Sequence, residues 1–180
     1  MGASRIIQSM SKLHLTLKDE EYPYSGFSHT RLVARAFVMD EKGNYALHTV
    51  SRDDAFGCQT YFETPGGGVE KGESPEIALV RECKEELGEE VEILEELGSV
   101  DDAYNLIKRA NHNVYFLCRK LSTGEKHFVS RGDAFIKKTE HLPINEIVAR
   151  YQAQDDHGVA GLVKRRELPF ALLLSERSAK

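Results

Sequence analysis

The sequence has no apolar run long enough to cross a membrane. A membrane-spanning helix needs about 20 predominantly apolar residues, whereas the longest apolar run near the C-terminus, 170–174, has five. The N-terminus also lacks the apolar core of a secretory signal peptide, since polar residues interrupt it from Gln8 onward. We therefore predict a cytoplasmic protein that has no membrane partner.

Cysteine is scarce as well. Cys58, Cys83 and Cys118 are an odd number at wide spacings, and none of the seven histidines pairs with a cysteine or another histidine at the spacing of a zinc site. This pattern argues against a disulfide framework and a zinc knuckle. We expect all three cysteines to be buried as small apolar side chains in a reducing compartment.

An excess of basic residues is also missing. Lysine and arginine together number 24 against 29 aspartates and glutamates, a net charge of −5, so nucleic acid is not an expected partner. Internal repeats, low-complexity tracts and long Pro/Gly/Ser linkers are absent. With 41% hydrophobic and 29% charged residues, the chain has the composition of one folded domain spanning residues 1–180.

Residue patterns predict a layered α/β domain in which strands precede most of the helices. The expected strands are 31–40, 45–50, 60–64, 91–100, 113–119 and 127–129. A turn at 41–44 joins the first two strands into a hairpin, and Pro65 to Gly68 is expected to be a loop. Two helices are predicted after residue 145, with 155–158 as the loop between them.

The clearest helix is predicted over 75–87. Ser74 suits the N-cap, Pro75 the first helical position and Gly88 the position just past the end. A rotation of 100° per residue places apolar side chains on the side that should face the core, namely Ile77, Leu79, Val80, Cys83 and Leu87. The opposite side is acidic and carries Glu82, Glu85 and Glu86.

These three carboxylates lie within one and a half helical turns and repel one another. The window 70–96 holds eleven of the 29 acidic residues and three basic ones, so it carries a net charge of −8 and the rest of the chain +3. Crowded, hard oxygen ligands are what Mg²⁺ or Mn²⁺ requires. The alternative is an ordinary solvated helix face.

Spacing around the helix favours the metal site. Gly67, Glu73, Arg81-Glu82, Glu85-Glu86 and Gly88 fit the pattern Gly-x5-Glu-x7-Arg-Glu-U-x-Glu-Glu-x-Gly-U, where U is a bulky aliphatic residue. The segment from Gly67 to Glu89 thus resembles the Nudix box of Nudix (MutT-like) hydrolases. Cys83 and Glu89 stand at two aliphatic positions, and the charge of Glu89 is expected to disturb packing where the next strand begins.

The resemblance implies a Nudix-type α/β/α sandwich with a mixed β-sheet between helices. Its common core would cover about 30–150, flanked by an N-terminal extension and a helical C-terminal one. It also implies a hydrolase, dependent on Mg²⁺ or Mn²⁺, that cleaves the pyrophosphate bond of a nucleoside diphosphate linked to another moiety. The substrate would be a small nucleotide derivative such as a nucleoside triphosphate, a dinucleoside polyphosphate, a nucleotide sugar or ADP-ribose.

Site roles also follow from the resemblance. The implied metal ligands are Glu82, Glu85, Glu86 and a carbonyl of the glycine loop at Gly67. Glu82 and Glu85 are implied to act in catalysis together with Arg81 and Glu73, which would fix the carboxylate rotamers. The general base lies either in the box or on a later loop, where Asp133 and Glu140 are the candidates.

Several alternatives stay open at this stage. The chain is either an enzyme, a Nudix-fold module that senses a nucleotide without turnover, or an RNA-end pyrophosphohydrolase that uses basic stretches such as 164–166. Tyr104, Tyr115 and Phe135 either stack on a base or pack in the core, whereas Lys164 to Arg166 is expected to be a solvated helix face. Residues 1–30 and the segment 155–158 lie outside the common core and are natural places either for contacts of a homodimer or for a substrate lid.

Overall fold

A computed structural model of the chain describes residues 12–127 and 133–179. Its strands are β1 Leu13–Thr16, β2 His29–Met39, β3 Tyr45–Asp54, β4 Gly57–Glu63, β5 Gly66–Gly68, β6 Glu89–Tyr104, β7 Arg109–Thr123 and β8 Ile136–Leu142. Its helices are α1 Pro75–Leu87, α2 Ile144–Ala153 and α3 Gly158–Ser178, and 3₁₀ turns lie at Asn105–Ile107 and Asp133–Phe135. No helix within these ranges combines the length and the apolar character needed to cross a membrane.

All the strands belong to one mixed sheet. The order is β1-β6-β7-β2-β3-β4, with β5 paired to β2 and β8 paired to β3. The β1–β6 and β2–β7 pairs are parallel, whereas β6–β7 and β3–β4 are antiparallel. The predicted hairpin of β2 and β3 pairs only where Met39 meets Tyr45, because most of β2 pairs with β7 and β5 instead.

Helices cover both faces of this sheet. On one face α1 packs through Leu79 and Cys83 onto small and apolar residues of β2 and β7 such as Ala36 and Phe116. On the other face α2 and α3 bury Tyr151 and Phe170 against a larger apolar cluster. The arrangement confirms an α/β/α sandwich with a mixed sheet between helices.

Helix α1 begins and ends at the predicted residues. Ser74 Oγ accepts a hydrogen bond from Ile77 N at 3.3 Å, and Gly88 takes the left-handed conformation with φ 69°. The prediction of its buried side was partly wrong, since Ile77 is 59% and Val80 39% exposed while Glu82 and Glu86 are each 6% exposed. The helix contacts β5 as well as β2 and β6, so the side bearing Glu82 and Glu86 is covered too.

The segment predicted as a loop at 65–68 contains a strand. Gly66, Gly67 and Gly68 pair with β2 at Arg35, Ala34 and Val33. Glycine makes this pairing feasible: Gly66 has a φ of 134°, and a Cβ there would lie 2.1 Å from the carbonyl oxygen of Ala34. The short strand therefore anchors the beginning of the box to the centre of the sheet.

Other predictions were incomplete. Strands β1 and β8 were missed, and β3, β6 and β7 extend beyond their predicted bounds. Strands β2 and β4 begin two and three residues earlier than predicted, and each ends one residue earlier. Cys83 and Cys118 are buried as expected, but Cys58 is exposed. Of the strand predicted at 127–129, residue 127 is not in a strand, and residues 128 and 129 lie outside the described residues.

Candidate active site

A cleft of about 550 Å³ opens where β5 and α1 meet the strands β2, β3 and β4. The three box glutamates, Glu82, Glu85 and Glu86, all line it, as do Gly67 and Arg81. Arginines from three strands and the side chains of Tyr61 and Phe135 line other parts of the wall. The predicted metal ligands thus face one cleft that also offers positive charge.

Glu82 lies under the backbone of β5. A Cβ built on Gly67 would lie only 2.4 Å from Glu82 Oε1, so no larger residue fits there without displacing the carboxylate. Burial raises the pKa of Glu82 to about 7; Arg81 opposes this shift, while the charges of Glu86 and Glu85 add to it. The pKa of Glu82 is thus raised first by its burial under β5 and then by the neighbouring carboxylates.

Arg81 connects the helix to the preceding loop. Its guanidinium donates to both oxygens of Glu73 at 2.9 Å and to the Gly68 carbonyl at 3.1 Å. Its Nη1 also contacts Glu82 Oε1 at 2.9 Å and Glu85 Oε2 at 3.4 Å. Hydrogen bonds from Arg81, and then from the Glu70 backbone, lower the pKa of Glu73 to about 2. Arg81 therefore contacts three carboxylates of the box, namely Glu73, Glu82 and Glu85.

Glu86 is held by a residue that sequence reasoning missed. Glu86 Oε2 accepts from Gly66 N at 2.9 Å and lies 3.2 Å from His48 Nε2, while His48 Nδ1 lies 2.9 Å from Thr139 Oγ1. Both contacts involve Oε2, and no described residue hydrogen-bonds Oε1. His48 is 2% exposed on β3, and no local spacing connects it with a helix 38 residues later.

The donor set suits a divalent cation. Three carboxylates and the β5 backbone offer the hard oxygen ligands that Mg²⁺ and Mn²⁺ prefer. Within the described parts of the chain, no three acidic, histidine or cysteine side chains already converge on one point. Instead Arg81 Nη1 supplies a positive charge beside Glu82 and Glu85.

The two candidate bases outside the box are placed differently. Glu140 lies on β8 in ion pairs of 2.8 Å with both Lys138 and Arg150. Hydrogen bonds from Arg150 and then Lys138 lower its pKa to about 2, and it is not a lining residue of the cleft. The backbone of Asp133 opens the 3₁₀ turn that carries Phe135 to the cleft, but its side chain lies outside the described residues.

The candidate stacking residues also differ. Tyr115 is fully buried and stacks on Phe170 at 4.4 Å between ring centroids. Tyr104 is 7% exposed, packs edge-on against Phe56 and lies under the Arg109 guanidinium. Phe135 lies under Arg52 at the cleft wall. Of the three, Tyr115 is a core residue, whereas Phe135 and Tyr104 line the cleft.

Gly67→Ala is expected to lower activity without unfolding the protein. Gly67 is not in the left-handed region, and the three atoms nearest to the new Cβ all belong to the flexible end of Glu82, so the carboxylate should move instead of the backbone. We expect kcat to fall about 10- to 100-fold, as for a misplaced catalytic group. Steady-state kinetics and thermal unfolding check both parts.

Gly66→Ala is the contrasting variant. Its Cβ would strike the Ala34 backbone, and its φ is positive, so it should lower the thermal midpoint itself. If Gly67→Ala lost as much stability as Gly66→Ala, the effect on activity would reflect damage to the fold and not displacement of Glu82.

The structure thus has an α/β/α sandwich fold with a cleft whose acidic groups lie on one loop and helix unit. The model of the NUDIX domain matches residues 29–162, a span that contains every box residue. The chain therefore belongs to the Nudix family and is a Nudix pyrophosphohydrolase.

Solved structures agree with this fold. The E. coli ORF135 protein superposes with a TM-score of 0.60 at 21% identity, over 84% of this chain and 93% of that one. A NUDIX hydrolase from Nitrosomonas europaea gives 0.55 at 21% identity, over 68% and 78% of the two chains. A MutT NUDIX hydrolase from Burkholderia pseudomallei gives 0.52 at 23% identity, over 64% and 84%. No curated protein matches the sequence.

Proposed function

We propose that this protein is a hydrolase dependent on Mg²⁺ or Mn²⁺ that cleaves the diphosphate of a nucleoside diphosphate linked to another moiety. The observation that carries the proposal is the cleft itself, in which Glu82, Glu85 and Glu86 face the same 550 Å³ space as an arginine-bearing wall. Carboxylates suit the cation, and arginines suit phosphate oxygens. A nucleoside diphosphate bound with a cation needs both the carboxylates, which bind the cation, and the arginines, which bind the phosphate oxygens.

Glu82, Glu85 and Glu86, with a carbonyl of β5 at Gly67, would hold the cation. When bound, the cation neutralises phosphate charge and lowers the pKa of a bound water. Arg81 keeps Glu82 and Glu85 in position from the side of the loop, and Glu73 holds Arg81. These two residues are positioning residues, since neither reacts.

The proton of the attacking water needs an acceptor near the carboxylates. We assign it to a box carboxylate, Glu82 or Glu85, because both line the cleft. Glu140 is a poor proton acceptor, because Arg150 and Lys138 lower its pKa to about 2. A general base works best with a pKa near the operating pH.

A substrate panel tests the function. The protein is incubated with Mg²⁺ or Mn²⁺ and nucleoside triphosphates, ADP-ribose, dinucleoside polyphosphates, nucleotide sugars or capped RNA, and release of nucleoside monophosphate is followed. We expect turnover of a small nucleotide that stops when EDTA removes the cation. Binding without turnover of any compound would favour a nucleotide sensor, and turnover of capped RNA alone would favour an RNA-end hydrolase.

His48→Ala is expected to lower kcat about 10- to 100-fold, the usual effect of losing a residue that orients a metal ligand. His48 Nε2 holds Glu86 at 3.2 Å, so its loss frees the carboxylate to rotate. Titration of activity with Mn²⁺ should show a weaker apparent affinity.

His48→Gln is the matched control, because its amide nitrogen reaches the same place as Nε2. It should recover most of the activity. If Gln and Ala were equally impaired while both stayed folded, the contact with Glu86 would not be the role of His48.

A further inference from the structure

Five arginines line the cleft. Arg81 is already paired with Glu73, Glu82 and Glu85, and two others are neutralised as well. Arg35 pairs with Glu63 at 2.6 Å and donates to the Thr64 carbonyl at 2.9 Å. Arg52 donates through Nε to Asp54 at 2.6 Å. Because Arg35 and Arg52 have carboxylate partners, their charge is largely neutralised within the protein.

A sixth arginine, which is not a lining residue, pairs with the carboxylates below the cleft. Arg166 was expected on a solvated helix face, but it is 2% exposed and donates to Asp102 and to Glu63, each at 2.9 Å. Glu167 beside it is fully buried and accepts from Thr64 N and from two tyrosines. The carboxylates at this end of the cleft are therefore engaged by deeper groups.

Arg31 and Arg109 are the two arginines left over. Neither makes an ion pair with a carboxylate in the described part of the chain, although both line the cleft. The Arg31 guanidinium lies against β5, where a Cβ on Gly68 would approach its Nε and Nη2 to 2.9 Å. Arg109 lies over the Tyr104 ring at 4.9 Å, and its Nε is buried without a hydrogen-bond partner among the described residues.

The two side chains share one face of the sheet. In the parallel pairing of β2 and β7, Arg31 stands opposite Asn111 and Arg109 opposite His29, so the arginines are diagonal neighbours two residues apart. Side chains of that parity project to the same side. Burial is the first cause that lowers the pKa of each arginine. At Arg31 the charges of Arg109 and Arg35 add to this effect, and those of Glu63 and Glu82 oppose it. At Arg109, Tyr104 and Asp102 oppose it, and Arg166 and Arg52 add to it.

Arg31 is exposed and Arg109 is partly buried, and both guanidinium groups face the cleft without an ion-pair partner among the described residues, so both can bind an anion that enters it. We propose that Arg31 and Arg109 form an anion subsite that binds a phosphoryl group carried by the substrate in addition to the diphosphate held at the box. Two guanidinium groups match the charge and the planar oxygen geometry of a phosphate. This inference rests on the proposed function, and it implies that the substrate is a nucleotide with three or more phosphoryl groups.

Anion binding tests the subsite apart from catalysis. Inorganic tripolyphosphate is titrated into the metal-free full chain by calorimetry, with Arg31→Gln and Arg109→Gln as the variants. Losing one charge-assisted contact should weaken binding about 10- to 100-fold. Arg119→Gln is the matched control on β7, since Arg119 is exposed and already paired with Glu92, and it should bind as the unmodified protein does.

Thermal unfolding separates a ligand site from a structural role. In phosphate-free buffer, Arg31→Gln and Arg109→Gln relieve repulsion, so their midpoints should be no lower than that of the unmodified protein. Added tripolyphosphate should raise the midpoint of the unmodified protein more than theirs. Midpoints well below that of the unmodified protein would show that the arginines serve the fold, and the proposal would be wrong.

Turnover tests the substrate class. For ATP and diadenosine tetraphosphate, kcat/KM should fall about 10- to 100-fold in either variant, and for ADP-ribose and ADP-glucose less than about threefold. Equal losses in both groups would mean that the arginines bind the diphosphate itself. Exclusive turnover of two-phosphate compounds would also overturn the proposal. If nothing is turned over, the proposed function fails while the calorimetry still decides the subsite.

Discussion

Glu86→Gln is expected to lower kcat by about 10³-fold or more while the protein stays folded, because a ligated cation contributes several kcal/mol to the transition state. Glu86 Oε2 alone makes the contacts with Gly66 N and His48 Nε2. The amide oxygen of glutamine can take over that role. The amide nitrogen then replaces Oε1, the oxygen free to bind a cation, and nitrogen of an amide does not bind Mg²⁺ or Mn²⁺.

Three measurements are needed for this variant. Steady-state kinetics gives the loss of turnover, titration with Mn²⁺ by electron paramagnetic resonance gives the loss of affinity, and thermal unfolding shows whether the fold is retained. Glu90→Gln is a suitable control, because Glu90 lies just past α1, is exposed and pairs at 3.9 Å with Lys84. Activity within about tenfold of the unmodified protein would remove Glu86 from the site.

The box was predictable because its signals are local. Ser74, Pro75 and Gly88 define the ends of α1 within one short segment, and the structure places those ends where the sequence did. The spacing of Gly67, Glu73 and Arg81 works in the same way, since one loop and one helix bring these residues together. Short-range capping and spacing rules suffice for such a unit.

Residues that complete the cleft come from distant strands and gave no local signal. His48 reaches Glu86 only because β3 runs beside the box, and Arg31 and Arg109 meet only through the pairing of β2 with β7. Arg166 reads as a surface charge beside Lys164 and Arg165. Its burial depends on two carboxylates from distant strands, Asp102 of β6 and Glu63 of β4.

Glu89 is a further residue whose surroundings are set by distant strands and could not be predicted from the local sequence. A charge at an aliphatic position of the box predicted disturbed packing, yet Glu89 is 2% exposed at the start of β6. Lys120 and His141 each lie 3.1 Å from its Oε1, and His141 and Lys120 help to lower the pKa of Glu89 against the effect of burial. Lys120 from β7 and His141 from β8 thus compensate the charge of Glu89 at an aliphatic position of the box.

Glu167→Ala is expected to destabilise the protein by about 3–5 kcal/mol, the usual cost of removing one partner from a buried ion network. Glu167 is fully buried and accepts hydrogen bonds from Thr64 N at 2.8 Å, Tyr151 Oη at 2.5 Å and Tyr115 Oη at 3.2 Å. Its loss leaves these donors without an acceptor. Arg35 and Arg166 also lose a carboxylate within 4 Å.

For a chain of this length the loss corresponds to a fall in Tm of about 6–20 °C, measurable by calorimetry or urea unfolding. Glu176→Ala is the control on the same helix, because Glu176 is exposed and its removal should change stability by less than about 0.5 kcal/mol. Glu167→Gln should lie between the two, since it keeps an acceptor and loses the charge. A fall below about 1 kcal/mol for Glu167→Ala would show that the buried arginines find other partners.

The same variant connects the core to the cleft. Thr64 lies just before β5, and Arg35 lies on the cleft wall. Glu167 therefore fixes the backbone that covers Glu82, and it also holds the Arg35 guanidinium, which lies on the same strand as Arg31. Loss of Glu167 should therefore weaken tripolyphosphate binding as well as stability, even at temperatures where the variant is folded. If binding were unchanged in the folded variant, the network would stabilise the fold without setting the charge of the cleft.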